Sequence, residues 1–203
     1  MKSEEIIKEI ENINTQALNS SDFYDRIKQS LDEMNWYDWQ GIRYFLFEYE
    51  TNLQTKSKTP DEKLKWEILN TTLQGKLTIE HIYPQKATSN CWKSDFNHLT
   101  LNQRRILCNA IGNLLPLSQP KNSSLSNKCF SEKVQSHDST IGFKYGSYSE
   151  IEVSLQDKWT PNAILERSLK LLSFMEKKWG LNFGDRAKKI EFLDLAFVEN
   201  PIS

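Results

Sequence analysis

The chain has 203 residues, of which 38 % are apolar and 26 % charged, with a formal net charge of −1. That length suits one large domain or two small ones, and the composition is that of a folded chain rather than a disordered or uniformly basic one. No stretch approaches 18 consecutive apolar residues, so no transmembrane helix is expected, and the charged start MKSEEIIKEIENIN lacks the continuous apolar run of a signal peptide.

Residues 3–50 read as helices: Ile6, Ile7, Ile10 and Ile13 recur at three- and four-residue spacing, as do Phe23, Ile27, Leu31 and Met34. The aromatic run at 36–50, with Trp36, Trp39, Tyr44, Phe45 and Phe47, reads as a buried helix rather than a binding platform. A polar linker is expected at 51–60, where Thr59, Pro60 and Glu62 supply the cap, first-turn proline and capping glutamate of a helix running to about Thr72. Beyond Gly75 the period changes. Residues 76–82 alternate like a strand stopped by Pro84, residues 97–110 look helical, residues 112–117 form a second strand candidate, and a polar helix is expected near 122–134. Thr160 and Pro161 open a last helix, with Ile164, Leu165, Leu169, Leu172 and Met175 on its apolar side and Gly180 at its end. The expected fold class is α+β and predominantly helical, with a helical segment at 1–75, a core at 76–135 and a second helical segment at 136–203.

Charge is unevenly placed. Residues 76–133 hold eight Lys and Arg against three Asp and Glu, so the segment carries +5 and the rest of the chain −6. A basic centre in an acidic frame suits a polyanion site whose frame is structural. Arg104, Arg105, Lys121, Lys128 and Lys133 are the candidate phosphate contacts, the alternative for each being a solvated helix face. The three cysteines, Cys91, Cys108 and Cys129, are an odd number with no C-x-x-C spacing. They are expected to be small buried residues without a disulfide framework or four-cysteine zinc site, in a reducing cytoplasm.

Two strands followed by a short polar helix would bring His81, Asn113 and Asn122 together. His81 at a strand end can act as general base, taking a proton from water. Asn113 can pin the loop that holds His81 through its one acceptor and its amide donor. Asn122 offers a neutral carbonyl oxygen to a hard divalent cation, and Glu80 can add a carboxylate. Such a cation, held by few protein ligands, keeps open positions for phosphate oxygens. Glu80 and His81 are adjacent on a strand and point to opposite faces, so they share a site only where the strand ends or twists. Asn127 competes with Asn122, but five residues further along it is expected to point away.

These residues resemble a family. Ile79-Glu80-His81-Ile82-Tyr83-Pro84 resembles the opening of HNH (His-Me finger) endonucleases. Gly112-Asn113-Leu114-Leu115-Pro116-Leu117-Ser118 and Lys121-Asn122-Ser123-Ser124-Leu125-Ser126-Asn127-Lys128 resemble its second and third elements. More narrowly, the order of motifs is similar to the C-terminal nuclease domain of GmrSD-type modification-dependent restriction and phage-defence proteins. Phe130-x-x-Lys133 and the later Tyr148, Trp159, Ile164 and Arg167 extend the likeness. The resemblance implies a ββα-metal core and a Mg²⁺- or Mn²⁺-dependent endonuclease acting on double-stranded DNA, including modified or phage DNA. It further implies His81, Asn113 and Asn122 in the catalytic site and Asn122 with Glu80 on the metal. A catalytically inactive DNA-binding or interaction module of the same fold is the alternative. Relatives join the nuclease to an NTP-hydrolysing sensor. No G-x-x-x-x-G-K-[ST] loop occurs here, so such a partner is expected on another domain or subunit.

Overall fold

Leu77–His81 (β1) and Leu114–Ser118 (β2) pair antiparallel, with Leu77 opposite Ser118 and His81 opposite Leu114. A computed structural model describes residues 25, 27–31, 35–58, 61–65, 77–135 and 141–199. Pro116 is tolerated opposite Ile79 because a two-stranded sheet asks for ladder bonds on one side only.

The connection between the strands carries two helices, α2 (Asn90–Phe96) and α3 (Leu101–Asn109), where a single one was expected; before β1 lies α1 (Ile42–Ser57). The break between α2 and α3 comes from Thr100, whose side chain accepts from the Gln103 amide while Gln103 bonds back to the Thr100 amide, a capping box that starts a new helix. After β2 the polar segment divides as well, into α4 (Gln119–Leu125) and α5 (Phe130–Val134). Ser126 separates them with φ 40°, a left-handed backbone that an L residue adopts at a cost and that reverses the chain. The C-terminal part adds α6 (Tyr148–Ser154), the long α7 (Pro161–Trp179), α8 (Arg186–Phe192) and α9 (Ala196–Glu199).

α4 packs on both strands and α1 on β2, and Ile79, Leu114, Leu115 and Leu117 are buried. α7 begins as expected, with Thr160 accepting from the Ala163 amide, and ends at Gly180 in the left-handed region (φ 66°). Its buried face presents Ile164, Leu165, Leu172 and Met175, each contributing about 1.5–3 kcal/mol by leaving water. That face meets the turn Ile111–Asn113, one residue ahead of β2. Gly112 permits the approach, since a Cβ there would run into the Ile164 carbonyl and the Ser168 side chain.

Three sequence expectations change. Residues 35–41 form a turn rather than the start of a helix, and α1 then continues to Ser57 through the segment expected to be a linker. Residues 61–65 are irregular where a helix was expected, the remainder of that helix and the isoleucine repeat of 6–13 lying outside the described residues. Cys91 and Cys129 are joined in a disulfide with Cα atoms 6.0 Å apart, against the expectation of unpaired thiols, while Cys108 is free and buried. They lie 38 residues apart, Cys91 within α2 and Cys129 at the cap of α5, so no local spacing could announce the pairing.

Candidate active site

Asn113 was expected in the second strand and lies in the turn just before it, fully buried. Its Oδ1 accepts from the Tyr83 amide (2.7 Å) and from Trp159 Nε1 (2.9 Å). Its Nδ2 donates to the carbonyls of Tyr83 (2.9 Å) and Cys108 (2.7 Å). All four bonds hold protein to protein, so Asn113 fastens the loop after His81 and does not face solvent. The turn carrying Asn113 is itself held from α7: the Gly112 amide donates to Ser168 Oγ (3.0 Å), and Arg167 Nη1 donates to the carbonyls of Gly112 (2.7 Å) and Leu114 (2.9 Å).

His81 closes β1, where the strand ends and its side chain need not follow the alternation. Only 8 % of it is exposed. Its Nε2 lies 3.2 Å from Asn109 Oδ1 at the end of α3. With that oxygen accepting, Nε2 carries the hydrogen and Nδ1 keeps the lone pair, the form a general base requires. Burial pushes the imidazole below its usual pKa, Asn109 works against that shift, Lys133 adds to it and Asp38 opposes it. The Tyr37 ring lies over the imidazole with centroids 4.4 Å apart. Tyr37 is held there by the 35–38 turn, in which Asn35 Oδ1 accepts from the amides of Tyr37 and Asp38.

Tyr37, His81, Asn122 and Asn127 line one open cleft of about 450 Å³. Asn122 Nδ2 donates to Thr78 Oγ1 (2.8 Å), which ties α4 to β1 across the cleft floor. Asn127 was expected to point away and instead borders the same cleft, because the chain reverses at Ser126 before helix phase can carry it off. Glu80 also touches the cleft, but its Oε1 is paired with the buried Lys133. Burial pushes the Glu80 carboxyl up and the Lys133 ammonium down, and the pair between them opposes both shifts.

The candidate phosphate contacts separate. Arg104 and Arg105 border a second depression that shares Pro84 and Gln85 with the cleft. Lys128 is exposed. Lys121 is committed to Glu150 and the Gly142 carbonyl (3.2 Å), and lies in another depression. Lys133 has no exposed surface at all, which corrects its assignment to DNA.

The C-terminal domain of GmrSD restriction endonucleases is the family whose model matches, over residues 21–174. The chain belongs to that family. It is a nuclease module of the restriction-endonuclease type, and the match takes in the whole cleft together with Trp159, Arg167 and Ser168 behind it. No curated protein and no solved structure matches the chain. No helix among the described residues is long and apolar enough to cross a membrane.

Restriction endonucleases of this kind typically work with divalent metals. Among the described residues no three His, Cys, Asp or Glu side chains cluster closely enough to hold an ion on their own. The cleft instead offers a hard-cation donor set that is mostly neutral: the Asn122 and Asn127 amides, the hydroxyls of Ser123 and Ser126, and the Glu80 carboxylate shared with Lys133. Oxygen donors of this kind fit a magnesium-like ion that keeps most of its water or substrate ligands.

Within the family domain, sequence reasoning missed two cleft residues and the partner of His81. Asn109 carried no motif signal, Tyr37 was folded into an aromatic helix, and Lys86, exposed at the cleft, entered only the charge count.

Proposed function

We propose that this chain is a divalent-metal-dependent HNH-type endonuclease that cleaves phosphodiester bonds of double-stranded DNA, the nuclease part of a bacterial restriction or anti-phage system. The observation that supports this best is a neutral His81, its Nε2 occupied by Asn109, set in the same cleft as Asn122 of the following helix, whose Nδ2 is spent on Thr78 and so leaves its Oδ1 as the group to face an ion. His81 Nδ1 takes a proton from water, and the hydrogen bond to Asn109 keeps the ring from turning as charge develops. Asn113, from beneath, holds the loop and so the approach angle of the base. Asn122, with Glu80, would hold the ion, which supplies stabilisation of charge on the phosphorus oxygens and leaving group. Arg104, Arg105, Lys86 and Lys128 are the exposed or rim cations that would meet flanking phosphates. Modified or phage DNA as substrate, an NTP-hydrolysing sensor domain or subunit as partner, and a cytoplasmic site of action complete the proposal.

The test is cleavage of supercoiled plasmid with Mg²⁺, Mn²⁺ or chelator, by the parent and by His81→Ala. The parent is expected to nick with metal and stop with chelator, and His81→Ala is expected to be inactive with an unchanged circular dichroism spectrum. A His81→Ala protein that cuts at the parental rate removes the assignment of the base. A parent that binds DNA and never cuts leaves the non-cutting interaction module as the correct reading.

A further inference from the structure

We propose that Lys133 is a positioning residue for the His81 turn, its Nζ gripping the Glu80 carboxylate and the carbonyls of His81 and Ile82 and so fixing how His81 enters the cleft. The nitrogen lies 3.2 Å from the His81 oxygen and 3.1 Å from that of Ile82, and its bond to Glu80 Oε1 completes the set. An ammonium has three N–H groups, and here each has an acceptor on one of three successive residues.

The turn is thereby clamped from two sides. The Ile82 amide donates to the Asn113 carbonyl (3.0 Å) and the Tyr83 amide to Asn113 Oδ1, while the Tyr83 carbonyl accepts from Asn113 Nδ2. Lys133 takes the two carbonyls that Asn113 leaves. From the His81 carbonyl to the Tyr83 carbonyl every backbone polar group is therefore bonded, although β1 ends at His81 and no sheet partner remains. Three acceptors converging on one buried point call for a compact donor with three hydrogens; a planar guanidinium does not match them. An unpaired buried cation would be costly, and Glu80 supplies the opposite charge. The short helix α5 that carries Lys133 is fixed at its start by Glu132, which accepts from the Cys129 amide (2.9 Å), and by Phe130 stacked on Trp159 at 5.5 Å.

The structural part of this inference stands on the hydrogen bonds alone; its kinetic consequence rests on the nuclease reading. The experiment measures amide hydrogen exchange, DNA affinity and cleavage for Lys133→Met. Exchange at Ile82 and Tyr83 is expected to rise at least about tenfold while α7 is unchanged. The cleavage kcat is expected to fall about 100-fold, as a misplacement on the order of 1 Å produces, with the DNA Kd unaltered. Unchanged exchange at the two amides, or a weakened Kd with kcat intact, overturns the proposal. Should Lys133→Met not fold, Glu80→Gln/Lys133→Met is compared with Glu80→Gln by exchange: faster amides in the double variant support the clamp, and equal rates show that the lysine serves only to neutralise Glu80. A parent without any cleavage would end the nuclease reading while the exchange data still decide the role of Lys133.

Discussion

Replacing Asn113 by Ala should bring the protein close to unfolding. The side chain is fully buried and its removal strands the Tyr83 amide, the Cys108 carbonyl and Trp159 Nε1, and leaves the Tyr83 carbonyl only the weak Cys108 thiol donor. A stranded buried polar group costs about 1–3 kcal/mol, and carbonyls with a second lone pair fall at the low end, so the total is about 5 kcal/mol. That is the lower edge of the whole stability of a typical domain. For a chain of this size it corresponds to a fall in Tm of about 10–20 °C. Asn113→Asp separates shape from hydrogen bonding. It retains the two accepted bonds but sets a carboxylate oxygen against the Tyr83 and Cys108 carbonyls, where only a protonated acid can donate. Burial and those carbonyls raise the folded-state pKa of the new acid above its unfolded value. Its stability is therefore fully present below about pH 3.9 and is lost as pH rises through the raised folded value. Urea unfolding followed by tryptophan fluorescence at pH 5 and pH 8 measures both effects. A loss under about 1 kcal/mol for Asn113→Ala, or an Asn113→Asp deficit that does not grow with pH, would refute the structural account of this residue.

Asn122→Ala should raise the metal concentration needed for half-maximal cleavage about tenfold, with Mn²⁺ restoring part of the rate, and Asn127→Ala should shift it less; a metal titration in which Asn127→Ala shows the larger shift transfers the ligand role to Asn127. Because burial holds the His81 imidazole below its usual value of 6.5, the acidic limb of the kcat/KM profile for cleavage should fall below pH 6.5. The same depression means that folding stability is lost as pH drops through that range, since the unfolded chain takes up the proton more readily; a limb at or above 6.5 contradicts the buried base. Burial pushes the Cys108 thiol up to about 12, so Cys108 should resist alkylation in the native protein and react in urea, as mass spectrometry of iodoacetamide-treated samples would show.

The sequence made much of this site legible because its parts follow strong local rules. His81 ends a strand that a proline stops, Asn122 lies within a proline-opened helix, and the Thr160–Gly180 caps delimit α7 to the residue. What stayed hidden depends on chain reversals and long-range contacts. The turn at 35–38 rests on an Asn side chain bonding its own backbone, a choice that the aromatic periodicity of the neighbouring residues masked, and it alone delivers Tyr37 to His81. Ser126 brought Asn127 back against simple helix phase. Lys133 read as one more cation in a basic segment, since nothing within α5 reveals that three oxygens from 51–53 positions earlier converge on it. Lys121 was misread for the same reason, its partner Glu150 lying on a distant helix.

The close approach at Gly112 binds the turn ahead of β2 to a helix some fifty residues further along the chain. A segment ending at residue 135 would hold His81, Asn113 and Asn122, the complete set of motif residues, and would still lack their scaffolding. The Gly112 and Leu114 carbonyls would lose Arg167, the Gly112 amide would lose Ser168, and Asn113 would lose Trp159. A graft of residues 77–125 onto another protein is therefore expected to keep this geometry only if the recipient supplies a helix able to lie against the atom-sized notch at position 112.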